Sequence, residues 1–436
     1  MEPETHKNIE LYNGACIVFE TPDDGYSYFF GYYDKSPINQ FGDKLLAHRV
    51  GFDGRDVRDT DVAEIGYFDL STREFHRIGE TLAWNWQQGS QLQWMSPDYN
   101  RYIIFNDVED NHYVSRIYDI ESDTTAKFPY PIYAVHPDGK SALCANYERL
   151  VYCRPGYDYR NVYHDKWDTP LHAEDGIYKL DFETKSVELL VRTQDIVNLK
   201  PHKGFKHNHS WLEHMMWNPQ GDRFMFMHRW STEAGEQKTR LLTADENGEN
   251  ICFYPDYGFY SHYTWKDNTH LTVWTRLQSE LQQKIVSQPQ APMLKVFLRP
   301  IYRFLKPILP KVLKSQVSQK PLSLVTFNDR DLNHDVEGDG VLIEDTHQTW
   351  LLNGNVLLND TYEDADEYRH LYLYFNTPPR GKVAIGRFFC HQNNTTYRCD
   401  LHPRKTHHNN IIVIDSAYQK KRSMLVINIE KTLDNA

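Results

Sequence analysis

Cysteine is scarce and unpatterned in this chain of 436 residues: six in all, at 16, 144, 153, 252, 390 and 399. The lack of framework spacing argues against a disulfide-stapled secreted scaffold. It leaves reduced thiols in a cytoplasmic protein, with Cys399 kept as a candidate metal ligand. An excess of positive charge is missing too, since 48 Lys and Arg face 60 Asp and Glu for a net charge of -12. That argues against broad nucleic-acid binding, although a local basic pocket can still take an anionic ligand. No run of about 18 apolar residues occurs, and Met1–Glu10 has no basic stretch followed by an apolar one, so neither a membrane span nor a secretory leader is expected.

Aromatic residues are plentiful instead, with 29 Tyr, 21 Phe and 10 Trp. They favour strands and also stack on sugar faces, so the excess suits an all-β fold and a glycan ligand alike.

One pattern recurs seven times: an apolar or aromatic strand, a turn of the type (Ser/Asn/His)-Pro-x-Gly, and a second apolar strand. The copies centre on Ser36-Pro37, Ser96-Pro97, His136-Pro137-Asp138-Gly139, Asn218-Pro219-Gln220-Gly221, Trp265-Lys266-Asp267, Asn353-Gly354 and His402-Pro403. Most are followed by a further strand pair, as at Ile65–Leu70, Arg116–Ile120 and Gly176–Leu180. Two hairpins per repeat make a four-stranded sheet that cannot bury both faces alone. Radial stacking therefore predicts one all-β domain over 1–436, a seven-bladed β-propeller of four-stranded blades.

The largest departure, 277–323, reads as a basic, partly helical insertion. Lys284, Lys295, Arg299, Arg303, Lys306, Lys311, Lys314 and Lys320 stand against one acid, Glu280. Leu294, Phe297, Leu298, Ile301, Leu305 and Ile308 fall near helical spacing, interrupted by Pro300, Pro307 and Pro310. Such a stretch is either a surface excursion or a peripheral contact with a membrane or protein partner.

Histidine is the second anomaly, with 21 residues, many at the openings of repeats. Equivalent positions in different blades face one central channel, so His214, His262, His347 and His402 are expected to converge although far apart in sequence. Convergent imidazoles suit a borderline divalent metal such as Zn2+ or Mn2+. Cys399 and Asp400 add donors beside His402, and strand alternation favours Asp400, which shares a side with His402. The richest segment carries His209 and His214 and ends in His228-Arg229-Trp230. Arg229, Arg240 and Arg276 are candidates to neutralise a carboxylate, and Trp230 to stack on a sugar. Trp217 and Trp265 read as blade-core residues.

The runs His214–Gly221, Phe226–Trp230 and Ser261–Trp265, with the His-Pro at 402–403, resemble the oligogalacturonate lyase family, and more distantly the ulvan lyase propellers. The resemblance covers roughly 205–275 and 345–432. It implies a seven-bladed propeller that cleaves uronate oligomers by β-elimination with a divalent metal, usually manganese. It further implies His228 as the base and His262 and His402 as metal ligands, with Asp400 where the family has another histidine.

β-Elimination needs the uronate carboxylate neutralised, a base for the C5 proton and an acid for the departing O4 oxygen. The expected acid is Tyr260 or His214, and the expected partner an acidic oligosaccharide or polysaccharide. A rival of another class is a glycan-binding or scaffold propeller in bacterial surface polysaccharide assembly, without turnover. A His228 sealed away from the channel favours that rival. A glycosidase needs facing carboxylates, and Asp360, Glu363, Asp364 and Asp366 read instead as a solvated loop.

Overall fold

The repeat motif becomes the turn between the first and second strands of six antiparallel sheets, and a seventh sheet completes the ring. The structure, a computed structural model, describes residues 8–434 apart from 203–204, 206–207, 233–234, 278–321, 379 and 392–394. Blade 1 runs from Ser27–Phe29 to Phe75–Thr81, blade 2 from Gln93–Trp94 to Thr124–Phe128, and blade 3 from Ala134–Val135 to Val187–Arg192. Blade 4 runs from Ser210–Trp217 to Cys252–Phe253, and blade 5 from Tyr260–Trp265 to His334–Glu337. Blade 6 begins at Gln348–Leu351 and blade 7 at Arg404–Lys405. The protein is a seven-bladed β-propeller.

Three details depart from the sequence reading. The seventh copy sits one strand early: His402-Pro403 precedes the first strand of blade 7, and the turn lies at 406–410. Blade 6 has five strands rather than four, because Ile9–Leu11 pairs outside Gly381–Phe389. Blade 7 takes its outermost strand, Cys16–Glu20, from the start of the chain and pairs it with Ser423–Asn428. Both ends of the chain are thus sewn into neighbouring blades.

The turn motif has a packing cause. Gly139 has φ +74°, and a Cβ there would lie 2.1 Å from the Ser96 carbonyl oxygen of blade 2. Gly221 has φ +87°, and its Cβ would meet His136 Nε2 of blade 3 at 2.5 Å. Only glycine combines that backbone with so close an approach, so each turn docks on the turn of the preceding blade. The tryptophans that end inner strands do the same: Trp94 Nε1 donates to Pro37 O at 3.0 Å, Trp217 to Ala134 O at 3.2 Å and Trp265 to Met216 O at 3.1 Å. These indoles are buried between blades, as the core reading of Trp217 and Trp265 requires.

Apolar clusters likewise bridge blades. Leu45, Ile65 and Phe68 of blade 1 pack with Ile103 and Phe105 of blade 2 and Val413 and Val426 of blade 7. Each such fully buried side chain contributes roughly 1.5–3 kcal/mol.

The hub is filled by the loop after the first strand of blade 1. Tyr33 Oη donates to the Tyr263 carbonyl and accepts from the Tyr263 N–H, both at 2.8 Å, tying blade 1 across the centre to blade 5. Buried Arg404 holds this loop through Tyr32 O at 3.0 Å and pairs with Asp415 at 2.8 Å. Of the basic stretch 277–323, residues 278–321 lie outside the described residues; its flanks, Thr275 and Ser323, pair directly in blade 5. Among the described residues no helix is long and apolar enough to cross a membrane.

Candidate functional site

His214, His262 and His347 each stand three residues before an inter-blade tryptophan, Trp217, Trp265 and Trp350. Anchoring of the indoles brings the imidazoles to equivalent places at the hub. In blades 4 and 5 the register slips across Glu213–Met216 and Tyr260–Tyr263, so a bulge re-aims His214 and His262 out of the ladder.

Three imidazoles then share one arrangement. His347 Nδ1 lies 2.9 Å from Asp360 Oδ2, His262 Nδ1 2.9 Å from Asp345 Oδ1, and His402 Nδ1 2.7 Å from Gly31 O. Each partner is an oxygen that only accepts, so Nδ1 carries the proton and Nε2 keeps its lone pair. The His347 ring centroid is 4.4 Å from that of His402 and 4.0 Å from that of His262. His402 Nε2 is buried with no hydrogen-bond partner among the described residues, and Asp400 Oδ2 stands 4.0 Å from it. One ligand atom each from His347, Asp400 and His402 lies within 4.8 Å of the others. Burial lowers the pKa of His347 and His402, which keeps both neutral. Burial alone would raise that of Asp400, but Arg369 and Arg398 outweigh it and hold the carboxylate ionised well below the usual range. Two oriented, neutral imidazoles and an ionised carboxylate, backed by Asp360 and a carbonyl, are a donor set that fits a divalent cation. His262 stands beside this set rather than in it. Cys399 lies in the irregular run that leads into blade 7, its thiol 4.0 Å from Asp400 O and pushed up by burial, and it is not among the clustered donors.

A cavity of about 270 Å³ opens beside the cluster, lined by His214, His262, Arg154, Tyr157, Arg229 and Arg398 among others. Its electrostatic centre is Glu213. Burial acts to raise this carboxyl, but Arg154, His214 and Arg229 outweigh it, and it stays ionised well below its ordinary value. Arg229 Nε pairs with it directly, Arg154 Nε lies at 3.4 Å, and His214 Nδ1 at 3.3 Å. Burial lowers the His214 pKa, so its imidazole is neutral at pH 7. A larger cleft of about 440 Å³, at Arg55, Arg160 and Tyr163, is lined by none of these groups.

Other expected site residues are not at this cavity. His228 and Trp230 alternate with Met227 and Arg229 along one strand, so they face away from the wall that Met227 and Arg229 form. His228 is fully buried, with Ser210 Oγ at 2.6 Å and its ring 5.3 Å from Phe205 and 5.4 Å from Trp230. The base and sugar-platform roles expected of these two therefore lack access to the hub. Arg240 is spent on Lys200 O at 2.7 Å and on Asp256. His209 lies 3.0 Å from Asp168, outside the cavity. Arg276 sits over the Phe259 ring at 5.5 Å and does not line the cavity itself. Tyr260 lines the cavity, but its hydroxyl donates to Pro255 O and is turned away from the space. Asp360, read as a solvated acid, is buried and orients His347 instead.

The residues the sequence reading passed over are Arg154, Tyr157, Glu213, Asp345 and Arg398. The spacing of His214, His262 and His347 from the tryptophans was an available signal for the hub. Arg154 and Tyr157 follow helix α1 (Tyr147–Cys153), between the second and third strands of blade 3, and carry no repeat pattern.

His228 gives a stability prediction. Burial pushes its pKa down to about 3, and that of buried His48 likewise to about 3. Both are neutral when folded and titrate near 6.5 when unfolded, so the unfolded state binds more protons below that value. Their stabilisation is complete above about pH 6.5 and is lost progressively as pH falls toward 3. Urea midpoints are expected to drop from pH 7 to pH 5, and His228→Gln to flatten that drop. An unchanged slope in the variant refutes the assignment.

The fold and hub define a propeller with an imidazole–carboxylate cluster beside an arginine-lined cavity. No family model matches the chain, and no curated protein matches its sequence. Among solved structures it resembles an oligogalacturonate lyase in complex with manganese, at TM-score 0.61 and 14% identity, covering 96% of this chain and 94% of that one. It also resembles the oligogalacturonate lyase from Vibrio parahaemolyticus, at TM-score 0.58 and 13% identity, with 97% of each chain covered. At identities this low the likeness shows the fold alone.

Proposed function

We propose that the chain is a single propeller domain with 277–323 as an insertion, and a carbon–oxygen lyase that cleaves a uronate-containing oligosaccharide by β-elimination at the hub. The observation that carries this reading is the juxtaposition of the His347–Asp400–His402 donor set with a cavity bearing three arginines and a neutral histidine. Those three residues would hold a divalent cation, Mn2+ or Zn2+, with His262 beside it. When bound, the cation supplies positive charge against the uronate carboxylate.

The chain's own groups do the rest. Arg154, Arg229 and Arg398 draw the anionic sugar into the cavity and offset its carboxylate. His214, neutral and set against Glu213, takes the C5 proton, in place of His228. Glu213 then stabilises the imidazolium that forms. Tyr157, whose ring centroid is 5.3 Å from that of His214, is the group on hand for the departing O4 oxygen.

The test is ultraviolet absorbance of the conjugated unsaturated product on a panel of uronate polysaccharides, paired with metal analysis. Turnover that falls with chelation, and one equivalent of metal lost in both His402→Ala and Asp400→Asn, are the expected results. The sealed position of His228 favours a second reading, a glycan-binding propeller without turnover. Saturable sugar binding at the hub with no unsaturated product across the panel establishes that reading and removes the first.

A further inference from the structure

A second set of donors lies away from the hub. The hairpin turn of blade 2 ends at His112, the first turn of helix α1 carries Glu148, and His164 precedes the short helical turn Asp165–Trp167. These three segments are separate in sequence, yet one ligand atom from each of the three side chains lies within 4.8 Å of the others. His112 Nδ1 is 3.0 Å from Glu148 Oε1, and His164 Nε2 is 3.7 Å from Glu148 Oε2. The two imidazole rings stack with centroids 5.3 Å apart and planes at 26°. Trp167 Nε1 donates to Glu148 Oε2 at 2.9 Å. His164 Nε2 also faces Asn111 O at 3.2 Å.

We propose that His112, Glu148 and His164 form a peripheral divalent-metal site of zinc type, which clamps the blade 2 hairpin to helix α1. Two imidazoles and a carboxylate are donors of the right class for such an ion. The 3.0 Å from His112 Nδ1 to Glu148 Oε1 is close to the ~3.3 Å between neighbouring ligands of a tetrahedral ion with bonds of about 2.0–2.1 Å, and His164 Nε2 stands 3.7 Å from the second oxygen, Oε2. The indole N–H occupies one carboxylate oxygen from behind and fixes the other toward His112, the outer-shell support that metal carboxylates receive. His112 is largely exposed, with 63% of its side chain accessible, so an ion enters from solvent and completes its coordination with water. The clamp has a destination: α1 leads through Cys153 into Arg154 and Tyr157, which line the hub cavity. Ordering α1 at its first turn therefore positions an arginine and a tyrosine of that cavity. The competing description is a pair of hydrogen bonds that needs no ion, His112 Nδ1 to Glu148 and His164 Nε2 to Asn111 O, in which both nitrogens carry the proton that an ion would displace.

Calorimetric titration of the metal-stripped full chain with Zn2+ separates the two. The expected result is one equivalent lost in His112→Ala/His164→Ala and in Glu148→Gln but retained in His402→Ala. Zn2+ is expected to raise the Tm of His402→Ala and to leave that of His112→Ala/His164→Ala/His402→Ala unmoved. Trp167→Phe, which keeps all three ligands, is expected to weaken this equivalent about 10–100-fold. The hub site is read in the same series by the equivalent that His402→Ala removes, so failure of either site shows without the other. Zn2+ stoichiometry and affinity in His112→Ala/His164→Ala equal to those of the unaltered chain overturn the proposal, as does a chain that takes up no Zn2+ in any form.

Discussion

A His214→Asn variant is expected to lose about 10²–10⁴-fold in turnover on a uronate oligosaccharide while keeping its thermal midpoint, the range typical of a general base. Asparagine is the informative replacement because His214 has φ +56°, a left-handed backbone that Asn tolerates better than Ala. It removes the basic nitrogen without straining the bulge. His228→Ala is expected to behave in the opposite way. Its imidazole is sealed among Phe205, Trp230 and Ser210, so truncation opens a buried hole and costs about 1–3 kcal/mol in stability. Under conditions where that variant stays folded, its kcat is expected to hold. A selective loss of turnover in His228→Ala, with His214→Asn active, reverses the two roles and reinstates the base implied by the sequence resemblance.

Arg149→Met is expected to be the most damaging single substitution for the fold, at about 3–5 kcal/mol by denaturant titration. Arg149 is fully buried in helix α1, and its guanidinium reaches Trp167 O at 2.7 Å, Thr169 O at 3.0 Å, Pro170 O at 3.1 Å and Ser210 O at 3.0 Å. Its Nε lies 3.1 Å from Asp175, which is also buried. Removing the cation strands the Asp175 charge and four carbonyls away from water. Adding Asp175→Asn to Arg149→Met is expected to recover part of the loss, because the stranded charge is the larger penalty. A loss below about 1 kcal/mol in the single variant shows that water replaces the guanidinium.

What the sequence made legible was whatever is local. The Pro-x-Gly turns announced their blades because a glycine pressed against a neighbouring turn leaves a motif a few residues long. The strands Ile9–Leu11 and Cys16–Glu20 left none, since they complete blades whose other strands begin more than three hundred residues later. At the hub, pseudo-symmetry was enough to gather His262, His347, Asp400 and His402. It gave no help at His228, whose role came from the resemblance: strand alternation decides which side a residue faces, and a histidine followed by Arg229 reads the same from either side. It failed at Arg154 and Tyr157, which arrive on an insertion in blade 3. Glu213 was invisible for a different reason: a carboxylate on an inner strand looks like an error until the guanidinium groups of Arg154 and Arg229 surround it.

The sewing of both chain ends into blades 6 and 7 has a consequence for the hub. His402 belongs to the run leading into blade 7, while the carbonyl that sets its tautomer, Gly31 O, belongs to blade 1. Asp415 and Arg404 grip the same blade 1 loop from the blade 7 side. The seam at which the ring closes therefore runs through the donor set itself. Anything that binds the assembled hub but not the parted seam works as a clasp, and it favours closure by RT ln(1 + [L]/Kd), about 2.7 kcal/mol at a hundredfold excess over Kd. Occupancy of the centre and integrity of the ring thereby become two readings of a single equilibrium, with the chain's two ends as its hinge and latch.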